Sequence, residues 1–262
     1  MKKYINILFW IIFAAYFIAV FGFINNKQKN ALCTSINITY KDTILDKFIS
    51  KQEILKIIDP ENQKVLGKKL DEINVAELEK KISTQHFVKS AEVYKKINGE
   101  LNVELYQRKP IIRIINKYGK SFYISENGVI LPISKNFIPR LPIVTGNINF
   151  SPDFDTITNI TNYKIINKDI KLLNDIFTLA NFIKNNELWN AQIQQIYINN
   201  ENEFEIIPLV GNQTIIIGNI EDFEEKFIKL ETIYKNGFSV ENINNYKEIN
   251  LKYKNQVICV KK

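Results

Sequence analysis

Reading from the N-terminus, the first clear pattern is residues 4–24, YINILFWIIFAAYFIAVFGFI. These 21 residues carry no charge, and Asn6 is the one strongly polar interruption. A helix needs roughly 20 apolar residues to cross a bilayer core, so the run predicts a membrane-spanning helix. Tyr4 and Trp10 toward one end have the character of interfacial anchors, as do Lys27 and Lys29 beyond Ile24, which closes the run. The run exceeds the roughly 7–15 apolar residues of a signal-peptide core, and no A-x-A-like site follows it. An uncleaved anchor is expected, with residues 1–3 as a short cytoplasmic tail and 25–33 as a polar linker.

After the linker the period changes. Ser35 to Tyr40 alternates as a half-buried strand does. Ser50-Lys-Gln-Glu53 is a capping-box pattern that leads into Ile54, Leu55, Ile57 and Ile58, and Asp59-Pro60 stops that helix. Asn74-Val-Ala-Glu77 opens a second helix, with Val75, Leu78 and Ile82 on one face. Val88 to Ile97 and Glu100 to Gln107 are strand-like runs joined by Asn98-Gly99, which predicts a hairpin with a type I′ turn. Residues 34–107 therefore read β-α-α-β-β, a unit small enough to fold alone.

From residue 108 the chain becomes richer in short strands: Ile111 to Asn116, Ser121 to Ser125 and Val129 to Ile133. Pro132, Pro139 and Pro142 mark irregular chain near the end of that run. Asn167 to Asn186 places Leu173, Ile176, Phe177, Ala180 and Ile183 on one helical face, and Trp189 reads as a core anchor at the start of the following strands. Three strands are expected at Ile193 to Ile198, Glu203 to Ile207 and Thr214 to Ile217. Glu221 to Lys235 is expected as a helix with Phe223, Phe227, Leu230 and Tyr234 along one stripe, ended by Gly237. Asn244 to Lys262 is expected to close the chain as one extended strand. The fold class is α+β: an N-terminal membrane helix, a β-α-α-β-β domain over 34–107, and a β-rich domain with flanking helices over 108–262.

Composition narrows the chemistry. The chain has 35 Lys and Arg against 28 Asp and Glu, a formal charge of +7. Four of those cations, Lys2, Lys3, Lys27 and Lys29, flank the apolar run with no acid among residues 1–30. The remainder is close to balanced, so the surplus marks a membrane address and not a nucleic-acid surface. The single His (His86) excludes a two-His metal site. Cys33 and Cys259 are too few for a zinc cluster and read as free thiols. No G-x-G-x-x-G or P-loop spacing is present, so no cofactor, metal or catalytic residue is expected.

Several motifs follow one another in a telling order. Gln107-Arg108-Lys109-Pro110 sits between the two domains. Tyr123-Ile-Ser-Glu-Asn-Gly128-Val-Ile-Leu-Pro132 forms a strand-turn-strand pattern, Leu141-Pro142-Ile-Val-Thr-Gly146 follows it, and Ile249-Asn-Leu-Lys-Tyr-Lys-Asn-Gln-Val257 lies near the end. With the anchor and the β-α-α-β-β unit, this constellation resembles the FtsQ/DivIB family of bacterial cell-division proteins, whose first extracytoplasmic domain is a POTRA domain. Asn250 stands where the family's closing strand has Asp, and Lys252 where it has Arg. Lysine keeps the charge but loses the planar fork of Arg.

The resemblance implies a non-enzymatic inner-membrane protein of the division septum, with its C-terminal domains in the periplasm. It would hold FtsB/FtsL-like coiled-coil partners, and FtsK-, FtsW- or FtsN-like proteins are further candidates. It also implies a partner-binding edge on the last strand, formed by Leu251, Lys252, Tyr253, Lys254, Asn255 and Val257. In that strand Ile249, Leu251, Tyr253, Val257 and Cys259 share one parity, and Asn250, Lys252, Lys254 and Gln256 the other. An apolar face could pin the strand to its sheet while its outer edge pairs with a partner strand. Two rival readings stay open. One is a membrane-anchored envelope hydrolase using Asp153 and Asp155, or Glu201, Glu203 and Glu205; the other is a POTRA-containing secretion component.

Overall fold

A computed structural model describes residues 9–20, 31–42, 47–60, 65–162, 168–237 and 243–262. Residues 9–20 form a helix, α1. Its large apolar side chains, Trp10 among them, are exposed. No helix among the described residues is long and apolar enough to cross a membrane. The ends of the expected span, including Tyr4 and Ile24, lie outside the described residues. Beyond α1 the chain is mixed α and β throughout, and it divides into two compact units, residues 1–107 and 108–262.

The first unit runs β1 (Ser35–Tyr40), α2 (Lys51–Ile58), α3 (Val75–Ser83), β2 (Val88–Lys95) and β3 (Glu100–Gln107). Helix α2 starts where the sequence places it, because Ser50 and Glu53 form a complete capping box. Asn74 caps α3 by accepting the Glu77 N–H at 3.2 Å. The sheet order is β1-β3-β2, with β1 parallel and β2 antiparallel to β3. Buried Ile54, Ile58, Leu78 and Ile82 from the helices and Ile38, Val93, Leu101, Val103 and Leu105 from the strands form its core.

The β2–β3 turn differs from the type I′ expectation. Gly99 has a φ of +90°, but Asn98 is not among the residues with positive φ. The Gly99 N–H donates to Lys96 O, and the Lys96 N–H to Glu100 O. These bonds define a three-residue loop, a type I turn followed by a left-handed glycine. A two-residue I′ turn needs positive φ at both centres, and here one residue alone supplies it.

The second unit contains β4 (Pro110–Ile115), β5 (Ser121–Ser125), β6 (Ile130–Leu131), β7 (Ile143–Gly146), α4 (Lys168–Asn185), α5 (Glu187–Gln192), β8 (Ile193–Ile198), β9 (Phe204–Pro208), β10 (Thr214–Gly218), α6 (Phe223–Asn236), β11 (Tyr246–Asn250) and β12 (Ile258–Lys261). The nine strands among its described residues form one mixed sheet in the order β12-β11-β10-β9-β8-β7-β4-β5-β6. Strand β7, which follows Pro142 and has four residues, escapes the alternation test, yet it is central and parallel to both β4 and β8. Apolar positions of the strands and of α4, α5 and α6 make one core, in which Trp189, 1% exposed, stands against Phe227 at 5.2 Å and Tyr234 at 5.9 Å. Trp189 thus anchors the core as expected, from a short helix of its own.

The chain end also departs from expectation. The single closing strand is instead a hairpin. β11 pairs parallel with β10, residues 251–257 leave the ladder, and β12 returns antiparallel to β11. Neither Leu251 to Asn255 nor Val257 therefore belongs to a strand.

Candidate functional site: the C-terminal hairpin and its edge

Strand alternation sets the hairpin's inner side. Ile249 pairs with core residue Ile215 on β10 and with Cys259 on β12. Ile249 and Leu251 are fully buried, and the Leu251 N–H donates to Ile216 O at 2.9 Å, extending the β10 contact one residue past the strand. Val257 and Cys259 pack against the same core. Alternation fails between them. Tyr253, which parity would bury, is 49% exposed, and Lys254 and Asn255 are exposed as well.

Side chains from neighbouring elements hold the excursion in place. The Lys252 ammonium lies 2.6 Å from Glu203 Oε1, and this contact raises the lysine pKa above its ordinary value. Its stem crosses Gly218, the last residue of β10. A Cβ built there would come within 2.8 Å of Lys252 Cγ, and the φ of +75° favours glycine independently. On α6, Lys229 Nζ donates to the carbonyls of both Tyr253 and Lys254 at 3.0 Å. Lys226, 7% exposed, donates to the carbonyl and side chain of Asn219, and burial lowers its pKa.

This arrangement changes the roles expected of the six residues. Leu251 and Val257 fix the hairpin to the core. Lys252 is engaged within the chain, while Tyr253, Lys254 and Asn255 project outward. Sequence reasoning missed Lys229 and Gly218. Gly218, ending an Ile-Ile-Ile run, was the available signal for a close approach. Lys229 gave none, since a lysine on a polar helix face is ordinary.

The edge of the sheet lies beside this turn. β12, the terminal strand in the sheet order, offers Ile258, 40% exposed, to solvent. The opposite edge, β6, is covered by the chain's own backbone: the Ile130 N–H donates to Thr158 O, the Ile160 N–H donates to Gly128 O, and Val129 bridges Asn159.

Three of the five nominated carboxylates have local structural roles. Asp153 accepts the Asp155 N–H at 3.0 Å, Glu205 accepts from the Asn199 amide at 3.2 Å, and Glu203 holds Lys252. An open groove of about 830 Å³ beside β7 and β8 is lined by Arg140, Ile143, Ile183, Lys184, Ile193 and Gln195 among others, and by none of those carboxylates. Both thiols are free, and burial raises the pKa of each. Among the described residues no group of three or more His, Cys, Asp or Glu side chains could hold a metal ion.

A family model described as FtsQ/DivIB, C-terminal related, matches residues 109–260. A second, described as a POTRA-like domain, matches residues 31–106. No curated protein matches the chain in sequence.

Proposed function

The chain belongs to the FtsQ/DivIB family of cell-division proteins, and we propose that it is a non-enzymatic divisome scaffold that holds an FtsB/FtsL-like pair through β12. Members of the family act through contacts with other division proteins. The observation that carries the strand-pairing reading is the asymmetry of the nine-stranded sheet. One edge is closed by residues 158–160, and the other ends at β12. A terminal strand leaves a row of outward N–H and C=O groups, which a partner strand can satisfy. Exposed Tyr253, Lys254 and Ile258 flank that row and would supply side-chain contact and charge steering toward an acidic partner.

The same proposal includes a single-pass inner-membrane anchor over residues 4–24, with the two domains in the periplasm at the septum. Its support is the uncharged run and the exposed apolar side chains around α1. A helix apolar on every side is suited to lipid and poorly suited to water.

Truncation after Val257 removes β12 and leaves buried Leu251 in place. Capture of an FtsB-like partner by the truncated full-membrane protein should be lost while far-UV circular dichroism stays close to wild type. Undiminished capture by a folded truncated chain would refute the β12 edge as the docking strand.

A further inference from the structure

Among the described residues, the first unit has a sheet edge of its own that no further strand pairs with. β2 is terminal in the order β1-β3-β2, and an antiparallel edge strand directs alternate amides toward its neighbour and away from it. The Val93 N–H points away, because it donates to Glu79 Oε1 on α3 at 2.7 Å. Alternation then puts the amides of Ala91, Val93 and Lys95 on the outer side, with Val93 in the middle.

The geometry of α3 makes this contact possible. Leu78 and Ile82 are buried against the sheet, and Glu79, next to Leu78, stands at the rim of that face. Its carboxylate can therefore reach round to the strand edge. A carboxylate accepting from a backbone amide makes a charge-assisted bond, about twice as strong as a neutral one.

Direct cross-strand pairing with an identical strand is compatible with the charges on β2. If two β2 strands met antiparallel about Val93, Glu92 would face Tyr94 and Ala91 would face Lys95, so no like charges would be opposed. The Glu79 carboxylate does oppose it. It occupies the central donor, and its negative charge repels the carbonyl oxygens that a second strand would bring.

We propose that Glu79 is a lock on the β2 edge, which keeps this strand from pairing with β2 of a second copy of the chain. The lock is independent of β12: its failure would leave the scaffold reading untouched, and the reverse also holds. It would leave the first unit monomeric at its edge.

The test compares wild type, Glu79→Gln and Glu79→Ala as full-length chains in detergent micelles, by amide hydrogen exchange and sedimentation velocity. In dilute Glu79→Ala, exchange of the Val93 amide should quicken roughly tenfold, the worth of one such hydrogen bond. Rising concentration should then produce a larger assembly than wild type forms, with protection gained at the outward amides of Ala91, Val93 and Lys95. Glu79→Gln retains an oxygen acceptor and a near-native side-chain shape, so it should fall between the two and control for folding. Exchange at Val93 that matches wild type in both variants would overturn the lock. So would faster exchange with the same sedimentation as wild type at every concentration.

Discussion

The Lys252 ammonium and the Glu203 carboxylate tie the C-terminal hairpin to the start of β9. The pair raises the lysine pKa in the folded chain, chiefly through the hydrogen bond to Glu203. A raised cation pKa contributes stability that is fully present below the unfolded value, about 10.4, and is lost as pH rises through the folded value. The pair is therefore intact at neutral pH, and its contribution fades only in strongly alkaline solution. Glu203→Gln should bring the Lys252 titration, followed by NMR of its side chain, back toward the ordinary value of 10.5. It should also abolish the alkaline loss assigned to the pair. A titration midpoint unchanged in Glu203→Gln would mean that other groups set it. At this scale the sequence was a partial guide. It singled out Lys252 as a cation on the last segment, but its partner lies 49 positions away in sequence, and no local pattern encodes that meeting.

Elements with a local physical signature were readable. Ser50 and Glu53 sit at capping-box spacing and make both of its bonds, and the alternation of Ser35 to Tyr40 became β1. Lost elements had no such signature. β7 has four residues after a proline, and its place between β4 and β8 rests on parallel pairing to strands far away in sequence. The chain end misled for the opposite reason. Its parity runs through residues 249–259, but Lys229 donates to the Tyr253 and Lys254 carbonyls and holds a turn where alternation suggested a strand. In the helical layer, α4, α5 and α6 meet through Phe182, Trp189 and Phe227. Trp189→Ala would empty a fully enclosed site between α5 and α6 and should cost about 3–5 kcal/mol in chemical denaturation. A cost below about 1 kcal/mol would show that the aromatic cluster closes over the gap.

Across the whole molecule, the scaffold reading joins an apolar N-terminal run to a sheet with one edge closed and one edge ending at β12. The full chain should sediment with membranes, whereas a chain beginning at Ala31 should stay in the soluble fraction. Membrane retention of the shorter chain would point to a second attachment. Residue order alone established the α+β character, the helix caps, the apolar run and the motif series that carries the family resemblance. Each depends on contacts within a few residues or on a fixed order along the chain. Tertiary structure decided which strands lie at the sheet edges, which edge the backbone of residues 158–160 closes, and which lysines are engaged within the chain. Those outcomes depend on pairing between distant segments, where the hydrogen-bonding needs of one strand are met, or left open, by residues that local periodicity cannot specify.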